Sequence, residues 1–143
     1  MNIYTDDDTN PAAVRSEPVA VIGYGSQGRS HARNLKDSGC DVVVGVRDGG
    51  AGWKQAQEDG LEVASVKDAV KQAKLIAILT PDMTHEEIFN EQVAPGLSEG
   101  DTLLFAHGFT VLYGRVKPPA GVDVVLVAPK GPGDLVRTEY ERG

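Results

Sequence analysis

Residues 19–30 read VAVIGYGSQGRS, an apolar run that passes without a linker into Gly23, Gly25 and Gly28 at G-x-G-x-x-G spacing. The pattern predicts a strand over Val19 to Ile22 that meets a helix at a tight turn. Each glycine has its own task there: Gly23 permits the turn, Gly25 lets the backbone lie against a pyrophosphate, and Gly28 lets the new helix pack closely on the strand. An anion so placed faces unpaired N–H groups at the positive end of a helix. Three glycines alone are a weak signal. Here Ala32 and Leu35 continue a helical period, and a second apolar run, Val42 to Val46, follows at the distance of a βαβ unit. That context favours a dinucleotide ligand over a plain glycine turn.

The same residues also fit G-x-x-x-x-G-K-S, the phosphate loop of nucleoside triphosphatases, with Arg29 in place of lysine and Ser30 as the serine. In that loop a compact lysine charge reaches the terminal phosphates and the serine holds magnesium. A guanidinium is a planar fork and does not substitute neutrally. The extra Gly25 and the basic residue ending the next strand also favour the dinucleotide.

Working outward, 143 residues suit one domain, which buries roughly two-thirds of its unfolded surface without staples. Cys40 is the single cysteine, so no internal disulfide can form. No apolar stretch reaches the length of a membrane span and no basic, apolar leader precedes Val19, so the expectation is a soluble cytoplasmic protein with no membrane partner. With 21 acidic and 14 basic residues the net charge is −7, which argues against nucleic acid as a partner. A locally basic site could still hold phosphate.

Residues 1–17 are polar, with Asp6, Asp7 and Asp8 in a row, and read as an N-terminal arm; residues 18–143 read as the dinucleotide-binding domain. Ser38-Gly39 supplies the stop of the first long helix. Val42, Val43, Val44 and Val46 mark a strand buried on both faces, as in parallel sheets. The expected fold class is therefore α/β, a Rossmann-type doubly wound, mostly parallel sheet with helices on both faces. A short helix begins near Trp53, whose ring suits packing better than cofactor stacking, and ends near Gly60. Glu62 to Ala64 is a third strand, Ser65-x-x-Asp68 a capping box, and Leu75 to Leu79 a fourth strand; Thr84-x-x-Glu87 should cap the helix after it.

The loop Arg47-Asp48-Gly49-Gly50 leaves the second strand, where this fold places the group that reads the adenosine ribose. Arg47 has the chemistry for a 2′-phosphate and Asp48 for a 2′-hydroxyl, so NADP and NAD both stay open; both charges could also be plain surface. Asp82, Met83, Thr84 and His85 lie past the fourth strand, on the rim where open α/β sheets bind ligands. His85 reads equally as a contact to the cofactor's ribose or adenine and as a surface residue. After a strand at Thr102 to Ala106, His107 sits on the same rim, able to polarise or move a proton near neutral pH. Pro118-Pro119 rules out one long helix between Gly108 and Gly121. A sixth strand, Val122 to Ala128, leads to Pro129-Lys130-Gly131-Pro132-Gly133, where Lys130 could hold an anionic substrate or phosphate. His31 reads as packing or surface, and no Cys/His cluster has metal spacing.

GYGSQG at 23–28, NLKDSG at 34–39, VGVRDG at 44–49, AHGF at 106–109 and APKGPG at 128–133 together resemble the N-terminal domain of ketol-acid reductoisomerase, an enzyme of branched-chain amino acid biosynthesis. The resemblance runs over nearly the whole chain, and AHGF and APKGPG carry more of it than the glycine fingerprint. It implies a magnesium-dependent alkyl migration in a 2-acetohydroxy acid, then hydride transfer from NAD(P)H to give a 2,3-dihydroxy acid. It implies that Tyr24, Gly25, Ser26 and Gln27 line the pyrophosphate and nicotinamide side, that Asp82 to His85 contact the cofactor and that Gly133 closes over it. It assigns His107 to the active-site histidine, Lys130 to a lysine beside the substrate and Arg47 to the 2′-phosphate. It also implies a homo-oligomer for the full-length enzyme. The family continues into a helical domain that carries the magnesium ligands and the dimer surface, so the 143 residues are expected to bind cofactor without isomerising substrate; if later strands of the sheet are missing, it is also expected to have an open edge. Two other readings compete: a non-catalytic dinucleotide-sensing module, and a different NAD(P)-dependent reductase of the β-hydroxyacid or imine type.

One departure from the family pattern bears on the cofactor. Positions 50 and 52, often serine in the family, are Gly50 and Gly52. Two hydroxyl donors to a 2′-phosphate are thereby missing, each worth roughly 1.5 to 3 kcal/mol. The expected outcome is a weakened preference for NADP: KM values for NADPH and NADH in the full-length enzyme should differ by less than about 100-fold. A larger preference for NADPH would overturn this.

Overall fold

The computed structural model describes Ile3 and residues 5–143; Met1, Asn2 and Tyr4 of the expected arm lie outside the described residues. Helix α1 (Ala12–Arg15) is exposed along its length and leads into β1 (Val19–Ile22). There follow α2 (Ser26–Asp37), β2 (Val42–Gly45), α3 (Ala51–Glu58), β3 (Glu62–Ala64), α4 (Val66–Gln72) and β4 (Leu75–Ile78). The second half holds α5 (His85–Ile88), β5 (Thr102–Phe105), α6 (Phe109–Leu112), β6 (Asp123–Leu126) and α7 (Gly133–Arg142).

The strands form one sheet in the order β3-β2-β1-β4-β5-β6, and every pairing is parallel. This is the doubly wound Rossmann arrangement, all parallel among the described residues. The β-branched runs explain it: Val19 to Ile22 and Val42 to Gly45 are buried at every position, which only a strand covered on both faces requires. One face packs Ala20, Ile22, Ile76, Ile78, Leu103 and Phe105 under α4 and the segment after α5. The other packs Val19, Val21, Val42, Val44 and Ala77 under α2 and α3. Strand β6 differs. All four of its residues are exposed, so it forms an open edge with apolar side chains on both faces.

Local signals set most boundaries. Ser65 Oγ accepts from the Asp68 amide at 3.2 Å and donates to its carboxylate at 2.7 Å, so the box at 65–68 opens α4. Gly39, at φ +85°, follows the last turn of α2. Thr84 does not cap α5 as expected. A 3-10 turn over Asp82–Thr84 intervenes, Thr84 takes φ −100° and ψ −8°, and its hydroxyl donates to the Pro81 carbonyl at 2.8 Å. Directly after α5 the chain widens into a π-helical turn, Phe89–Val93, which buries Phe89 and Val93.

Helix α7 lies along α2. Arg137 reaches Asp37 at 2.7 Å and Asn34 Oδ1 at 2.9 Å, and the Tyr140 and Ser38 hydroxyls are 2.7 Å apart. This pairing brings the 129–133 loop back over the glycine turn.

Two of the three fingerprint glycines are demanded by the fold. Gly23 has φ +96° and backs onto Thr80. At Gly28 an added Cβ would stand 2.2 Å from the Gly23 carbonyl oxygen. Gly28→Ala should therefore push α2 off β1 and cost about 3 kcal/mol, read as a lowered urea midpoint. An unchanged midpoint would contradict the close packing.

Candidate functional site

The chain leaves β1 toward β2 on one side and β4 toward β5 on the other, which opens a crevice at their carboxyl ends. Two cavities meet there. The outer groove, about 580 Å³, is walled by Gly23, Arg47, Asp48, Ser65, Thr84 and Glu87 among others; the inner crevice, about 250 Å³, by Gln27, Asp82, His85, His107 and Pro129. Thr80, at the end of β4, lines both.

Gly25 stands apart from its two neighbours. Its φ of −79° suits any residue, and an added Cβ would meet no protein atom within 4 Å. Nothing in the fold requires glycine here, and the space above it is open. Gly25 is also the N-cap of α2, which has no side-chain cap, so the amides of its first turn keep their donors for an external acceptor. Gln27, the second residue of α2, donates from Nε2 to the Gly131 carbonyl at 3.2 Å. Its Oε1 is buried without a partner, as is the Thr80 hydroxyl. Buried acceptors without partners are rare, and two flank this crevice. Gly133 rests on the start of α2, where a Cβ would stand 2.4 Å from Ser26, so the 129–133 loop is seated directly on the glycine turn.

Of the expected site residues, the structure gathers Gly23, Arg47, Asp48 and Thr84 in the outer groove and Gln27, Asp82, His85 and His107 in the inner crevice. Others stand elsewhere. Tyr24 contributes only its backbone to the turn: its side chain is buried between α2 and α3, where the hydroxyl donates to Asp59 Oδ2 at 2.7 Å. Met83 is 77% exposed and lines neither cavity. Gly50 is the N-cap of α3, and Gly52 packs against Tyr24. Lys130 is exposed beside Pro129, outside the lining of the crevice.

His107 is exposed at the mouth of the crevice. Its Nδ1 lies 3.3 Å from Asp82 Oδ2 and 3.4 Å from the Phe109 amide nitrogen, so one ring nitrogen can donate to a carboxylate or accept from an amide. His85 is not a surface residue. It is 2% exposed: Nε2 donates to the Thr80 carbonyl at 2.8 Å, and Nδ1 sits 3.1 Å from the Thr110 hydroxyl. The carbonyl can only accept, so the proton of the neutral ring is on Nε2 and the Thr110 hydroxyl donates to Nδ1.

Sequence reasoning missed Thr80, Glu87 and Asp59. Thr80 could have been found from its place at a strand's carboxyl end. Asp59 left no local signal: it accepts from Arg29 Nε at 2.7 Å, from Arg29 Nη2 at 3.0 Å and from the Tyr24 hydroxyl. The Arg29 guanidinium, helped by Tyr24, holds the Asp59 carboxyl down at about 2. Burial, and then Asp59, push the Tyr24 phenol up. Burial alone pushes His31 down.

An all-parallel sheet in this order, with an uncapped helix over a glycine turn and a two-part crevice at the strand switch, defines a dinucleotide-binding α/β domain. The family model for the acetohydroxy acid isomeroreductase NADPH-binding domain matches residues 13–143. The chain belongs to that family, also called ketol-acid reductoisomerase. It is similar to an NADH-preferring ketol-acid reductoisomerase from an uncultured archean, at 40% identity and a TM-score of 0.93, over 100% of this chain and 45% of that one. The chain thus spans less than half the length of that relative. A semialdehyde dehydrogenase NAD-binding protein from Cupriavidus necator (24% identity, TM-score 0.70, 80% of this chain and 41% of that one) shares the fold. So does a 3-hydroxyisobutyrate dehydrogenase from Mycobacterium tuberculosis (16% identity, TM-score 0.66, 85% and 43%).

Asp59 also makes stability depend on acid. Its folded-state pKa lies below the ordinary 3.8, so its contribution is complete above 3.8 and is lost as pH falls through about 2. The contribution is about 2 kcal/mol, reduced at the half-exposed Arg29 end by solvent. Asp59→Asn should lower the urea midpoint at about pH 5, and the gap to the parent should close as pH falls to about 2. A gap that persists in acid would show that the charge is not responsible.

Proposed function

We propose that this chain is the cofactor-binding part of a ketol-acid reductoisomerase, which takes a 2-acetohydroxy acid such as 2-acetolactate to a 2,3-dihydroxy acid with NAD(P)H. The observation that carries the reading is Gly25, a glycine the protein itself does not need, beneath open space and beside the free amides of α2. A Cβ there would intrude on a bound pyrophosphate and on nothing else.

From that anchor the cofactor runs both ways. The adenosine half fits the outer groove, where Arg47 would meet a 2′-phosphate and Asp48 a 2′-hydroxyl. The NADH preference named for the archaeal relative, and the absence of hydroxyls at Gly50 and Gly52, support use of both cofactors or of NADH. The nicotinamide half fits the inner crevice, where Gln27 Oε1 and the Thr80 hydroxyl offer polar partners. When bound, the nicotinamide supplies the hydride. His107, with Asp82 3.3 Å from its Nδ1, would hold or release a proton at the substrate, and Lys130 would draw an anionic substrate toward the mouth. Ser26, with Gly133 seated on it, would flank the pyrophosphate at the start of α2, whereas Met83, exposed outside both cavities, is given no contact.

Magnesium, which the family's reaction uses, is not matched by these residues: among those described, no group of three His, Cys, Asp or Glu side chains could hold a metal ion. No step is therefore assigned to a metal on this chain. Among the described residues no helix is long and apolar enough to cross a membrane. Cytoplasmic location and a homo-oligomeric enzyme complete the proposal.

The test separates the glycines. Gly25→Ala should leave the unfolding free energy in urea within about 0.5 kcal/mol of the parent's yet weaken NADPH and NADH binding at least about tenfold by calorimetry. Binding as tight as the parent's would overturn the dinucleotide reading of the turn.

A further inference from the structure

Asp59 lies in neither cavity, yet it breaks a local rule. It is the C-cap of α3, at the negative end of that helix's dipole, where a carboxylate is disfavoured. Its partners offset this: both carboxylate oxygens face the Arg29 fork, and Oδ2 also takes the Tyr24 hydroxyl. Arg29 belongs to α2 and Tyr24 to the glycine turn itself, between Gly23 and Gly25.

Tyr24 also touches the other end of α3. A Cβ on Gly52 would stand 3.3 Å from Tyr24 Cβ, so the first turn of the helix rests on the same residue whose hydroxyl holds its last. Just before α3 comes the loop from Arg47, closed by the Gly50 amide donating to the Arg47 carbonyl at 3.1 Å. That loop carries Arg47 and Asp48 into the outer groove opposite Gly23. One buried phenol therefore links the turn beneath the pyrophosphate to the loop that reads the ribose.

We propose that Asp59 is a positioning residue for the adenosine half of the dinucleotide, fixing α3 and its leading loop against the glycine turn through Tyr24 and Arg29. The inference rests on the dinucleotide reading of the site. Simple electrostatics predicts the opposite sign for its removal, because deleting a carboxylate near an anionic ligand strengthens attraction. A positioning role predicts weaker binding. Loss of the carboxylate frees the end of α3, and the loop then samples placements from which Arg47 and Asp48 miss the ribose.

The measurement is calorimetric binding of ADP-ribose and 2′-phospho-ADP-ribose to the full chain, at a temperature where circular dichroism shows each variant fully folded. Asp59→Asn should weaken both probes about tenfold. Tyr24→Phe, which keeps the ring and the Arg29 pair, should weaken both about threefold. Unchanged or tighter binding in folded variants, with only the melting point lowered, would make Asp59 a purely structural residue and overturn the proposal. Should Asp59→Asn not fold, Tyr24→Phe decides by the same criterion. A parent chain that binds neither probe would overturn the dinucleotide reading and this inference with it, whereas a parent that binds beside indifferent variants overturns the inference alone.

Discussion

The contact between Gly28 and the carbonyl of Gly23 governs the geometry of everything on the rim. With an added methyl only 2.2 Å from that oxygen, α2 can sit this close to β1 only because position 28 has no side chain. The approach sets where the first turn of α2 points its amides and how deep the crevice beside β4 runs. It also fixes the seat for the returning loop, since Gly133 presses on Ser26, the first residue of the same helix. The Arg137 and Tyr140 contacts along α2 hold that loop in place, so Pro129, in the wall of the inner crevice, is seated by a helix that packs on α2 from far along the chain.

The parts of this arrangement that repeat locally could be read from the chain. Val19 to Ile22 and Val42 to Val44 announce buried parallel strands by their β-branching, the glycines announce the turn, and Ser65 with Asp68 announces a helix start. What could not be read is what depends on distant partners. Arg29 and Asp59 stand thirty residues apart, and nothing near either predicts their pairing. The burial of His85 follows from Thr80 and Thr110 lying on either side of its ring, and the latter comes from after β5. Thr84 looked like a cap because its spacing to Glu87 is right. A 3-10 turn consumed the residue before the helix could use it. Lys130 stands on the loop after β6, but a loop position alone does not say where a long flexible side chain goes.

Charge is arranged against the overall balance of the molecule. The chain carries a formal −7, yet the amides of α2 and Arg47 present positive potential around the turn, while Asp48, Glu87 and Asp82 temper it on the walls. Such a site favours an anion held by oriented backbone dipoles, whose strength does not depend on flexible cations finding their place. Buried Asp101 combines both kinds of partner elsewhere, accepting from the Ser98 amide and from the Lys74 ammonium.

Thr80 is the only residue that faces both cavities among those described. Arg47 and Asp48, which would meet the ribose, come from the loop after β2, whereas His107 comes from just past the end of β5 and Asp82 from the turn after β4. On the proposed reading, substitutions at 47 or 48 would act on the ribose end of the ligand while leaving the histidine's surroundings as they were, and the domain would in this sense be modular along the length of its ligand.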